Sequence, residues 1–209
     1  MRILHAVKTV DGARWAVDQV RELVARGYDV HVALPALSGR LLRQWEETGA
    51  TLHAQPMDLP VAVPWRLTFL LEQVRRLVDR VKPDLIHSHF FGTTLMLRMA
   101  LGRDHAVPRV FQVPGPLHLE HAFFRRWELS SAGANDSWIA SSRHVESLYR
   151  AAGSQRIGSS SATTATACSR RCRGKAACAR IWASLRTASS SATSTTFTGR
   201  SGFSARRAG

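Results

Sequence analysis

The segment from Val113 to His121 carries the side chains best placed to do chemistry. Two prolines and Gly115 stiffen an exposed turn, and His118 and Glu120 follow it directly. A stiff turn holds side chains in defined directions, and a histidine titrates near neutrality, so it can hydrogen-bond a hydroxyl group or a diphosphate in either protonation state. We therefore predict His118 as a catalytic residue, with Gly115 and Glu120 as substrate-binding residues. Packing or capping roles stay open, since Glu120 and His121 could equally begin a solvated helix.

His87 and His89 form a second candidate because they lie two residues apart on a predicted strand. Side chains at this spacing point to the same face, so two imidazoles could share a metal ion. The sequence shows no third ligand, and we therefore predict no metal site. At least one of the pair is expected to be a hydrogen-bonded histidine of the core or of a cleft. His89, at the end of the strand, is predicted to contact substrate.

Asp11 and Gly12 follow the first strand and precede a helix. A glycine there lets backbone N–H groups approach a phosphate or a hydroxyl group without an intervening side chain. The alternative is a glycine that serves only a tight turn. The full Gly-x-Gly-x-x-Gly motif is absent, as is an acid after the second strand, which argues against a nicotinamide-dependent dehydrogenase. We predict no cofactor.

The apolar pattern behind these residues alternates between the periods of strand and helix. Strands are predicted at 2–7, 29–34, 51–55, 84–88, 109–113 and 137–140. Helices are predicted at 17–24, 38–45, 64–81, 93–101 and 143–152. Gly27 is expected to end the first helix, Ser38 to cap the second and Gly49 to end it. Single helices between strands imply right-handed crossovers, so the predicted fold class is α/β, with a mostly parallel sheet covered on both faces.

Ligands of such sheets bind at the carboxyl ends of the strands. This rule selects the loops that contain Asp11 and Gly12, His89, and Gly115 to Glu120. It also selects the loop after the last strand, where Ser141 or Ser142 is expected to cap a helix. From that loop, Ser142 and Arg143 are predicted substrate-binding residues.

The 209-residue chain divides by charge near residue 153. All 15 acidic residues precede this point and the last is Glu146, so residues 1–153 carry a formal +4 and residues 154–209 carry +10 of the total +14. The basic residues neither interleave with aromatic residues nor lie on a recognisable helix, so a nucleic-acid partner is not expected. All three cysteines lie after residue 153 without a nearby histidine, which does not match a closed zinc site.

Apolar runs in the sequence are short. The N-terminal run is too short for a signal peptide, and no run approaches the 18 or so apolar residues of a spanning helix. We predict a cytoplasmic protein and leave open a contact with a membrane surface.

Four segments together resemble the N-terminal domain of family 4 glycosyltransferases. These are Arg2–His5, Arg26–Val30, Lys82–His89 and Ile139–Ser142. The resemblance covers about 150 residues and implies the N-terminal Rossmann-like half of a GT-B fold, in a retaining enzyme that uses a nucleotide-sugar donor and a hydroxyl acceptor.

In that family the N-terminal domain chiefly holds the acceptor, and a C-terminal domain holds most of the donor. The resemblance implies that Gly12 lies near the donor phosphates and His118 near the transferred sugar. The glycine loop here has one glycine where the family often has two, and no C-terminal domain follows in this sequence. We therefore expect the chain to be truncated and inactive alone, with a domain at 1–153.

Residues 154–209 are a mixture of Ser, Ala, Thr and Arg that is predicted to be disordered. A GC-rich gene read out of frame yields this composition, and a shifted reading of 160–166 and 188–192 permits segments like the family's interdomain region. The alternative is a genuine basic tail. In that case the chain would be a ligand- or partner-binding α/β module whose tail binds nucleic acid or anionic lipid.

Overall fold

The computed structural model describes residues 1–60, 62–154 and 157–159. The strands are β1 (Arg2–Ala6), β2 (Asp29–Leu34), β3 (Thr51–Ala54), β4 (Leu85–Ser88), β5 (Arg109–Val113), β6 (Asp136–Ala140) and β7 (Ile157–Ser159). The helices are α1 (Arg14–Ala25), α2 (Leu42–Glu46), α3 (Leu67–Val81), α4 (Phe91–Leu101), α5 (Leu117–Glu120), α6 (Ala122–Ser131) and α7 (Arg143–Ala151). A short 3₁₀ turn, Pro64–Arg66, leads into α3.

The strands form one sheet in the order β3-β2-β1-β4-β5-β6-β7, and every pairing is parallel. The predicted α/β class and the Rossmann-like parallel sheet are confirmed. Strand order runs one way from β1 to β3 and the other way from β4 to β7. The reversal between β1 and β4 opens a crevice at the carboxyl ends of these strands, where ligands of doubly wound sheets bind.

The core lies on both faces of the sheet. Ile3 and Leu4 are adjacent in β1, so they point to opposite faces and join different apolar clusters. The cluster around Ile3 contains buried residues of α1: Val17, Val20 and Leu23. The cluster around Leu4 contains buried residues of α3 and α4: Leu70, Val74, Leu77, Met96 and Leu97. Each such side chain contributes about 1.5–3 kcal/mol when fully buried, and this holds the strands in place.

Two glycines lie just beyond the helix ends that the sequence predicted. Gly27 has φ +80° just after α1 and Gly49 has φ +77° after α2. The predicted cap at Ser38 is wrong, because α2 begins only at Leu42. Gly39 has φ +132°, which is not helical, and the N–H of Arg40 donates to Asp11 Oδ1 at 2.7 Å. The chain therefore turns at Gly39 before the helix can start.

Two parts of the fold lie beyond the sequence prediction. Helices α5 and α6 follow the Pro-Gly-Pro turn, and α6 confirms the alternative of an exposed helix starting after His121. Strand β7 pairs with β6, so the described sheet extends beyond residue 153. The rest of the tail, with its reading-frame and basic-tail alternatives and its cysteines, lies outside the described residues.

Within residues 1–60, 62–154 and 157–159, no helix has the length and apolar character needed to cross a bilayer.

Candidate functional site

His118 is held by hydrogen bonds at one ring nitrogen. Its Nε2 lies 2.6 Å from Glu128 Oε2 and 2.8 Å from the Tyr149 hydroxyl. The ring stacks on Phe91 with centroids 5.0 Å apart, and 9 % of the side chain is exposed. Residues from α4, α5, α6 and α7 therefore fix one histidine at the carboxyl end of β5.

Glu128 is the buried centre of this network. Its Oε1 accepts hydrogen bonds from Trp138 Nε1 and the Tyr149 hydroxyl, each at 2.7 Å, and Tyr149 is also 2.7 Å from Oε2. The side chain is fully buried, which is costly for a carboxylate unless donors surround it. Burial first, and the adjacent Glu128 charge second, raise the pKa of Tyr149 above its ordinary value of 10.0, so its hydroxyl keeps its proton.

The network assigns the tautomer of His118. Tyr149 has one hydroxyl proton and donates it to Glu128, and an ionised carboxylate has none to give. Nε2 of His118 must then carry the hydrogen that meets Glu128. In the neutral ring this leaves the lone pair on Nδ1, which can accept a hydrogen bond.

His5, His87 and His89 form a second group, which we call the histidine cluster. Strand pairing sets His5 opposite His87, and His89 follows β4. All three side chains are fully buried, and His89 Nε2 lies 2.5 Å from His5 Nε2. The edge of the Trp15 indole covers His89, with ring centroids 4.5 Å apart.

Burial keeps the histidine cluster neutral. Desolvation lowers the pKa of His87 to about 3, against a smaller opposite effect from Gln112. Desolvation also lowers the pKa of His5 and His89 well below the ordinary value, and neighbouring histidines lower both further. Nδ1 of His5 and Nδ1 of His89 are buried without a hydrogen-bond partner. Each such atom costs about 1–3 kcal/mol of desolvation.

His5, the third histidine of the cluster, was not predicted from the sequence. His5 lies 82 residues before His87, and only the β1–β4 pairing brings them together. The alternating strand pattern was the available signal, because it placed His5 in a strand that a doubly wound order sets beside β4. A substrate contact by His89 would require its ring to turn out of the cluster, and that role stays a prediction.

The loop after β1 is shaped by Asp11 and Ala13. Asp11 Oδ1 accepts from the Arg40 backbone at 2.7 Å and its carbonyl accepts from Arg40 Nη2 at 3.2 Å, so Asp11 fastens the loop after β2. Gly12 does not have positive φ, and a Cβ there would make only an ordinary contact with Thr9. The left-handed residue is Ala13, with φ 61°, and it begins α1.

The other predicted residues also lie in loops at this edge. A Cβ on Gly115 would meet nothing within 4 Å, so neither packing nor φ requires glycine at that position. Glu120 is exposed at the end of α5. Ser142 caps α7 by accepting from the Val145 N–H at 3.2 Å, which confirms the predicted cap. Arg143, the first residue of α7, is exposed. Substrate contacts by these residues stay predictions.

An exposed apolar patch adjoins His118, and we call it the aromatic patch. It consists of Leu117, Phe123 and Phe124, which are 75 %, 69 % and 39 % exposed. The exposed Arg125 and Arg126 follow in α6. Apolar and basic side chains thus lie together beside the predicted catalytic histidine.

Comparisons with known proteins agree with this arrangement. Residues 12–157 match the sequence profile of Glycosyltransferase Family 4, and the match covers more than half of the chain. No curated protein matches it.

Three solved structures are similar to the chain. HepE of Anabaena, crystallised with UDP and glucose, has a TM-score of 0.59 at 17 % identity and covers 76 % of this chain and 44 % of its own. MurG of Acinetobacter baumannii has a TM-score of 0.53 at 12 % identity and covers 76 % and 44 %. A Listeria monocytogenes protein assigned as a UDP-N-acetylglucosamine 2-epimerase has a TM-score of 0.56 at 12 % identity and covers 75 % and 44 %.

The chain spans less than half the length of each of these proteins. At such identities the likeness shows the fold alone, a Rossmann-like domain of the GT-B type, and an epimerase among the neighbours shows that this fold serves several reactions. The family is shown instead by the profile match over most of the domain. The chain belongs to glycosyltransferase family 4.

Proposed function

We propose that this chain supplies the acceptor-side domain of a retaining glycosyltransferase that moves a sugar from a nucleotide-sugar donor to a hydroxyl acceptor. The observation that carries the proposal is His118, which follows β5 with Nε2 tied to Glu128 and Nδ1 left for a ligand. A histidine held this way has a fixed ring direction and a fixed tautomer, which is what positioning of a reacting sugar requires.

His118 acts on the transferred sugar in this proposal. In the reaction, the bond from the sugar's anomeric carbon to the diphosphate oxygen breaks, and a bond to the acceptor oxygen forms. Nδ1 of His118 accepts a hydrogen bond from a hydroxyl of the sugar and holds the anomeric carbon so that the acceptor approaches from the face that the diphosphate leaves. The acceptor's proton passes to the departing diphosphate. Glu128 and Tyr149 act through His118, because their contacts fix its ring without reaching the crevice.

The donor phosphates belong beside the loop of Asp11 and Gly12 in this proposal. That loop leads into α1, whose first turn contains no acidic side chain to repel an anion. Arg143, at the start of α7, offers an exposed cation at the same edge of the sheet. The remaining polar groups, Glu120 and the Ser142 hydroxyl, are then left for the acceptor, and Gly115 leaves room for it.

The proposed donor is a nucleotide sugar, and the complex of HepE with UDP and glucose supports this class. The 209 residues span less than half of the structural neighbours, so the residues that would close over the donor lie in a second domain. We therefore propose that the 209-residue chain has no transferase turnover by itself, because the described residues supply only part of the groups that would stabilise the leaving diphosphate.

The test begins with the coding DNA. It is sequenced from about codon 145 past the stop and translated in three frames. We expect a shifted frame to encode a second Rossmann-like domain, and the restored protein is then assayed for sugar transfer from nucleotide-sugar donors. If no frame continues the protein, or if the 209-residue chain alone turns over donor, the two-domain proposal fails.

His118→Ala in the restored protein tests the assigned role. We expect kcat/KM to fall by about 10²-fold, the size of effect that a misplaced substrate produces. The matched control is His121→Ala, three residues away, whose exposed ring only touches the edge of Phe124. Equal activity of the two variants would contradict a role for His118 in transfer.

The aromatic patch suggests the surface at which the protein meets its acceptor. Leu117, Phe123 and Phe124 with Arg125 and Arg126 match the apolar and basic faces of segments that lie on anionic bilayers. We propose that this patch rests on an anionic membrane surface and brings His118 to it. Phe123→Ser with Phe124→Ser should release the chain from phosphatidylserine vesicles in co-sedimentation. Leu37→Ser, an exposed leucine after β2, is the control, and unchanged binding of the double variant would contradict the proposal.

A further inference from the structure

The histidine cluster has the composition of a metal site. We propose that His5, His87 and His89 bind one divalent transition-metal ion of the zinc class between β1 and β4. This inference concerns a different group of residues from the proposed transferase site, so either can fail without the other.

The ligand atoms have suitable spacing. One ring nitrogen of each histidine lies within 4.8 Å of one from each of the others, and the shortest pair, His5 Nε2 and His89 Nε2, is 2.5 Å apart. In a tetrahedral site with Zn–N bonds of about 2.0–2.1 Å, ligand nitrogens are about 3.4 Å apart. The 2.5 Å pair is closer than that value and the other separations are no more than 4.8 Å, so small rotations of the rings place three nitrogens around one ion.

The backbone fixes this arrangement. His5 and His87 are register partners in two hydrogen-bonded strands, and His89 follows two residues later on the same face. Ligands on paired strands are held more rigidly than ligands on loops, so little order has to be imposed when the ion binds. A fourth, tetrahedral position remains for a water molecule or an anion, as in zinc sites built on three histidines.

The unpartnered nitrogens of the cluster favour a cation, because metals bind the neutral imidazole through a lone pair. Nδ1 of His5 and Nδ1 of His89 are buried and unpartnered. Both ring nitrogens of His87 are also buried without a partner. An ion bound through His87 would give one of them the partner that the fold does not supply.

The experiment measures metal bound to the purified full chain. The three tail cysteines, Cys168, Cys172 and Cys178, are changed to serine so that thiolates cannot supply the ligands. The protein is stripped with chelator, equilibrated with Zn²⁺ and freed of excess metal. We expect one zinc per chain by elemental analysis. The thermal midpoint should rise by about 5 to 10 °C at free zinc about 100 times Kd.

His87→Phe and His89→Phe test the ligands, because phenylalanine keeps a ring in the buried space but has no nitrogen. Circular dichroism checks that each variant folds, and each should lose the bound zinc and the thermal shift. The control is His53→Asn, which removes one ring of the separate His31–His53 pair and should retain both.

Three results would overturn the proposal. They are no zinc on the cysteine-free chain, zinc retained by both folded phenylalanine variants, or zinc lost from His53→Asn. If neither phenylalanine variant folds, the cysteine-free chain still decides the matter through a zinc-dependent thermal shift that His53→Asn preserves.

Discussion

Two groups of buried histidine lie at the same edge of one sheet, yet their partners differ. In the histidine cluster, imidazoles contact imidazoles at the β1–β4 crevice. At His118, a single imidazole meets a carboxylate, a phenol and an aromatic face. The comparison shows that burial alone does not decide what a histidine can do.

The partner decides the chemistry in each case. Glu128 fixes one tautomer of His118 and leaves one nitrogen for a ligand, which suits the positioning of a substrate. Each neutral ring of the cluster has one nitrogen with a lone pair, and three such nitrogens close together suit a cation. Changes that exchange or remove these partners therefore test the comparison directly.

The largest expected effect is that of Glu128→Ala. This change leaves the hydroxyl of Tyr149, the indole of Trp138 and Nε2 of His118 buried without their acceptor. We expect the free energy of unfolding to fall by about 3–5 kcal/mol, the cost of breaking a buried charged network. Urea unfolding followed by circular dichroism measures it.

Glu120→Ala is the matched control for this variant. Glu120 is an exposed carboxylate at the end of α5, two residues after His118. Its replacement should change the free energy of unfolding by no more than about 0.5 kcal/mol. Equal losses in the two variants would mean that Glu128 is not the centre of the network.

A fall in pH should lower the free energy of unfolding through the histidine cluster. An unfolded histidine has a pKa of about 6.5, and that of folded His87 is about 3, so protons bind the unfolded chain preferentially between these values. Stability is therefore full above pH 6.5 and falls below it by about 1.4 kcal/mol per pH unit for His87.

The check is the unfolding free energy of the chain and of His87→Phe in chelator at several pH values. From pH 6.5 to 4.5, the unchanged chain should lose about 2–3 kcal/mol more than the variant. Parallel profiles would contradict a neutral buried His87. Tyr149 gives stability the opposite pH dependence. Its pKa is raised in the folded chain, so stability should fall as the pH rises above 10.

The sequence predicted the fold better than it predicted these two groups. Short-range patterns located six of the seven strands and the stops at Gly27 and Gly49, because local periodicity and glycine conformation decide them. His118 was predicted from a stiff turn in its own segment. Glu128 and His5 were not, since each reaches its partners only through packing of distant elements.

Ser38 illustrates the opposite failure. Its residue type suits a helix cap, but Gly39 and the hydrogen bond from Arg40 to Asp11 turn the chain away. A local signal was overruled by a contact with a loop 29 residues earlier. For the same reason, the sequence did not predict that α1 starts from Ala13 in the left-handed conformation.

The two regions also begin their helices differently. Helix α7, beside the His118 network, starts from Ser142, whose hydroxyl accepts from the Val145 N–H. Ser142→Ala should lower the free energy of unfolding by about 1 kcal/mol, as is usual when an N-cap is lost. Ser147→Ala, an exposed serine within α7, is the control and should not cause this loss. An equal loss in both variants would show that the cap is not the cause.

Helix α1, beside the histidine cluster, has no side-chain cap and starts from Ala13 at φ 61°. A left-handed conformation costs a residue with Cβ about 1–2 kcal/mol, whereas glycine adopts it without strain. Glycine also adds about 0.4–1 kcal/mol of unfolded-state entropy, so Ala13→Gly should raise the unfolding free energy by about 0.5–1 kcal/mol. Gly12→Ala is the control, because φ is not positive there and a Cβ would fit, so it should raise the unfolding free energy by about 0.4–1 kcal/mol through unfolded-state entropy alone. A loss of stability in both variants would mean that Gly12, and not Ala13, requires the left-handed conformation.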